Sequence, residues 1–94
     1  MRLVHRVRLD AGGDLAAPGG AVTSALCGHW EHDGPCRWPH STRAIERGGA
    51  LVLDITVECD PADEDDVRRL VAAALSAGEI TGPDDRRTTW ELVR

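Results

Sequence analysis

Polar and apolar residues alternate from the second residue onward. Leu3, His5, Val7 and Leu9 fall on one side, and Arg2, Val4, Arg6 and Arg8 on the other, which predicts a strand over residues 2–9 with one face toward a core. The alternation returns over 50–59, where Leu51, Leu53, Ile55, Val57 and Cys59 oppose Val52, Asp54, Thr56 and Glu58. A strand is also expected over 41–47, and Gly48-Gly49 joins it to 50–59 as a hairpin. A last strand over 87–93 puts Trp90 and Leu92 on one face.

The period changes over 61–77. Val67, Leu70, Val71, Ala74 and Leu75 recur at helical spacing and form one buried stripe. Asp60 is the expected N-cap, with Pro61 at the first helical position and Asp63, Glu64, Asp65 and Asp66 crowding the first turn. Gly78 ends this helix. A shorter helix of one or two turns is expected over 21–26, because Pro18-Gly19-Gly20 reads as a break before it. Residues 81–85 read as a loop.

The predicted order is strand, short helix and loop, hairpin, helix, strand. This implies an α+β domain of ferredoxin-like βαββαβ type with a four-stranded antiparallel sheet. Its first helix is expected to be short, or replaced by the loop over 27–40. Residues 1–94 read as a single domain.

Composition narrows the classes. Only 3% of the residues are aromatic while 41% are hydrophobic, so the core must be aliphatic. The net charge of −5 argues against a general nucleic-acid binder, which needs a basic surface. No apolar run reaches the length of a membrane span or of an export signal, so the expected location is the cytoplasm, where cysteines stay reduced.

Residues 27–40, CGHWEHDGPCRWPH, concentrate the metal-binding side chains of the chain. Gly34-Pro35 and Pro39 prevent a continuous helix, so this is a loop that something must order. The spacing Cys27-x-His29-x2-His32-x3-Cys36-x3-His40 supplies five donors suited to zinc. The expected ligands are Cys27, His29, Cys36 and His40, with His32 as the alternative. Two thiolates and two neutral imidazoles cancel the charge of a zinc ion, and Glu31 and Asp33 are placed to accept the remaining imidazole N–H groups. The two Cys-His pairs are similar to the Rieske iron–sulfur pattern. The second pair has one residue too many between its ligands, and the halves stand too close for two cluster loops.

Four ligands leave no open coordination position, so the expected metal is a structural zinc. The leading expectation is a small zinc-binding domain acting as a protein-interaction or accessory module, its partner another protein or a second copy of itself, with no nucleic acid and no membrane involved. The reading leans away from an enzyme. One alternative is a small metalloenzyme with Glu31 as general base. Another is a redox or metal sensor that uses Cys27 and Cys36 as a thiol switch. A Cys27–Cys36 disulfide is the alternative to metal if the protein is exported.

Overall fold

The computed structural model describes residues 1–28 and 37–93. It is an α+β arrangement of two helices on a five-stranded antiparallel sheet. The elements in chain order are β1 (Arg2–Leu9), α1 (Ala17–Cys27), β2 (His40–Arg47), β3 (Ala50–Val57), a 3-10 turn (Pro61–Asp63), α2 (Glu64–Ala77), β4 (Glu79–Thr81) and β5 (Arg87–Val93). The strand order across the sheet is β2-β3-β1-β5-β4.

The expected four strands are therefore corrected to five. The added strand, β4, has three residues, too few for alternation to show in a sequence. It pairs with β5 through Ile80 opposite Thr88. The first helix is also corrected. It is neither short nor replaced by a loop, because its 11 residues run through Pro18, Gly19 and Gly20. Pro18 is tolerated there because it occupies the first turn, whose N–H groups have no partner inside the helix. Gly19 faces β2, where a β-carbon would make only an ordinary 3.7 Å contact with the Thr42 methyl. The helix starts where the Asp14 carboxylate accepts the Ala16 N–H at 2.9 Å. It ends at Gly28, whose φ is 82° and whose N–H reaches the Ser24 carbonyl at 2.8 Å.

The second helical segment begins with a 3-10 turn. Asp60 takes part through its backbone carbonyl, which accepts the Asp63 N–H, and its side chain makes no capping bond. The expected stripe is correct. Val67, Val71 and Leu75 are buried, and Leu70 and Ala74 pack at its edge.

Both helices cover one face of the sheet. Leu3 and Val7 of β1 and Leu51, Leu53, Ile55 and Val57 of β3 meet Val22 and Leu26 of α1 and the stripe of α2 in one cluster. Burying these aliphatic side chains at about 1.5–3 kcal/mol each makes this layer the main driving force of folding. The opposite face is left to residues of the other parity. There Arg2 grips Asp54 with two hydrogen bonds, of 2.8 and 2.9 Å, and the Arg2 bond holds the Asp54 carboxyl below its ordinary range.

Candidate metal and thiol site

The site is built where α1 ends and β2 begins. Helical phase turns Thr23 and Cys27, four residues apart, to the same side of α1. His40 is the first residue of β2, opposite Val57 of β3, and its ring meets both of them. His40 Nε2 lies 3.0 Å from the Thr23 hydroxyl. His40 Nδ1 lies 3.1 Å from the Trp38 carbonyl and 3.8 Å from Cys27 Sγ. A carbonyl can only accept, so Nδ1 carries the hydrogen, and Nε2 of the neutral ring accepts from Thr23.

Two of the four expected ligands, Cys27 and His40, are thus neighbours. The other two, His29 and Cys36, lie outside the described residues, as do the alternative ligand His32, the proposed base Glu31 and the carboxylate of Asp33. Among the described residues no group of three His, Cys, Asp or Glu side chains comes together as a metal site. Cys27 is disulfide-bonded, while Cys59 is a free thiol. This bears on the fit of zinc. A disulfide sulfur lacks the thiolate charge that zinc requires, and Nδ1 of His40 is committed to Trp38. The donor set suits zinc only in the reduced chain, with the His40 ring released from the Trp38 carbonyl.

Trp38 closes one side of this region. Its indole is buried and donates to the Asp63 carboxylate at 3.4 Å, and the Arg37 guanidinium stacks 4.3 Å above its ring. Thr23 carries no metal-binding group; its signal in the sequence is its place in the helix expected over 21–26, four residues before Cys27.

Cys59 lies beyond β3, half-buried, with its thiol 3.8 Å from the Met1 sulfur. His5 is half-buried between Leu3 and Val7, and burial pushes its imidazole below the ordinary histidine pKa. Among the described residues neither is hydrogen-bonded to Cys27 or His40. Among the described residues no helix is long and apolar enough to cross a membrane. Comparison with known protein families, curated proteins and solved structures finds no match.

Proposed function

We propose that this chain is a small interaction or accessory module whose 27–40 segment is tied to the sheet at Cys27. In the reduced chain the tie is a structural zinc ion held by Cys27, His29, Cys36 and His40. The observation that carries this reading is the 3.8 Å approach of Cys27 Sγ to His40 Nδ1. Zinc–sulfur and zinc–nitrogen bonds of about 2.3 and 2.0–2.1 Å at a tetrahedral angle put the two donor atoms about 3.6 Å apart. The pair therefore needs only a small adjustment. The fold reading that goes with it is ferredoxin-like with β4 added at one edge, supported by the order β2-β3-β1-β5. The reading places the chain in the cytoplasm.

The disulfide at Cys27 favours a second reading, the thiol switch. Two zinc-bound thiolates, Cys27 and Cys36, would pass two electrons to a peroxide. One S–S bond forms, the O–O bond breaks, two water molecules leave after uptake of two protons, and the zinc ion is released.

Cobalt(II) titration of the reduced chain tests the first reading. Tetrahedral thiolate-bound cobalt gives an intense visible spectrum, which Cys27→Ser should remove and His40→Ala should weaken. No such spectrum in the folded, reduced chain sinks the metal reading. Adding peroxide to the loaded chain tests the second: release of cobalt with loss of two thiols supports it, and retention contradicts it.

A further inference from the structure

We propose that the outer edge of β2 receives an extended segment of a partner protein in which acidic and apolar side chains alternate. This rests on the reading of the chain as an interaction module, and it names the partner's chemistry. β2 is an eight-residue strand at the edge of the sheet. The phase of its hydrogen bonds follows from one bond, Glu58 N–H to the Pro39 carbonyl at 2.8 Å. Pairs on the same ladder alternate, so Ser41–Thr56, Arg43–Asp54 and Ile45–Val52 bond inward to β3. The backbone groups of Thr42, Ala44 and Glu46 therefore turn outward, and no described residue pairs with them. A row of unpaired backbone groups is a template for an added strand.

The two flanks of this edge differ. On the helix side, Leu15, Gly19, Thr23, His40, Thr42 and Ala44 line an open groove between α1 and β2. Leu15 is 52% exposed there, and the Thr42 hydroxyl is buried with no hydrogen-bond partner among the described residues. On the other side Arg43 and Arg47 stand exposed. The carboxylate opposite Arg43, Asp54, is already held by Arg2, and among the described residues neither Arg43 nor Arg47 has an ion pair of its own. An incoming strand presents alternate side chains to these two flanks. Apolar side chains fit the groove, and carboxylates fit the arginines. A second copy pairing through the same edge is disfavoured. Two-fold antiparallel pairing of β2 with itself sets residues of one parity opposite each other, which brings Arg43 and Arg47 of both copies together. The open face offers no described aromatic platform for a nucleic acid, since Trp38 and Trp90 are buried.

The test is fluorescence anisotropy of the full chain with a labelled synthetic peptide of alternating Glu and Val, matched to the eight residues of β2. Saturable binding is expected. Arg43→Glu with Arg47→Glu should weaken it by about tenfold or more at low salt. Ala44→Pro should abolish it while leaving the circular dichroism unchanged, because the lost N–H points away from β3. A peptide N-methylated on the edge that faces β2 should not bind the unaltered chain. No binding of the plain peptide, equal binding of the N-methylated one, or binding only of a single-stranded oligonucleotide overturns the proposal. Zinc content of the same preparation separates the two readings: a zinc-loaded chain that ignores the peptide loses only the docking edge, and a metal-free chain that binds it loses only the zinc.

Discussion

Trp90 donates its buried indole N–H to the backbone carbonyl of Leu75 at 2.9 Å. Leu75 lies in the last turn of α2, where carbonyls have no partner inside the helix. One bond therefore serves two needs: it satisfies the indole in the core and it ties the helix end to β5.

Trp90→Phe keeps a ring in the core but leaves that carbonyl unpaired. The expected loss is about 2 kcal/mol, combining the missing bond with a small cavity. Urea denaturation measures it. Trp38→Phe is the comparison, because its bond to Asp63 is longer and less buried, and it should cost less. Equal losses would contradict this account of Trp90.

Gly78 sits beside the same junction with a φ of 72°. A β-carbon there would come within 2.8 Å of the Trp90 carbonyl, and that contact is backbone on both sides. The Trp90 N–H also bonds to the Gly78 carbonyl at 2.8 Å, so the strand cannot back away without breaking it. Gly78→Ala should cost about 2 kcal/mol or more, read by thermal melting. Gly12→Ala is the control. It shares a positive φ of 79° but meets nothing within 4 Å, so it should cost less.

His5 makes stability depend on pH. Burial lowers its pKa in the folded chain, so the unfolded chain binds the proton more readily. The neutral ring's contribution is present above the ordinary value of about 6.5, and is lost as the pH falls through it toward the lower folded value. The melting temperature should drop between about pH 7 and pH 5, and His5→Leu should flatten that part of the drop. An unchanged slope in the variant would assign the effect elsewhere. Asp54 does not interfere. The Arg2 hydrogen bond lowers its pKa, so stability from this carboxylate is lost only below about pH 4.

Much of this fold was legible in the chain. β1 and β5 begin and end where alternation placed them, and the hairpin turns at Gly48-Gly49, with φ values of 57° and 80°. Paired positive φ angles are what a two-residue turn between twisted strands demands, and glycine supplies them without strain. β3 stops two residues before the expected Cys59: past Val57 the ladder goes on only through the Glu58 N–H to the Pro39 carbonyl, and proline has no N–H to return. α1 was hidden because Pro and Gly oppose helix locally, while Ala17, Val22 and Leu26 gain burial only once the sheet exists. β4 was hidden by its length.

The Cys and His spacing singled out residues 27–40, and of the four ligands it suggested the described residues bring Cys27 and His40 side by side. The choice between a thiolate and a disulfide at Cys27 stayed open in the sequence, which shows what thiols exist and not the redox potential around them. The contribution of Thr23 was not legible although it falls in the helix expected over 21–26, because its partner His40 is brought beside it only by the fold.

The most direct test of the central claim is elemental analysis of protein purified under reducing conditions, without chelator or histidine tag, beside a Cys36→Ser variant. The account predicts about one zinc per chain, lost in the variant together with a fall in melting temperature. A colourless protein free of zinc and iron, whose melting curve ignores both chelator and the substitution, would contradict it.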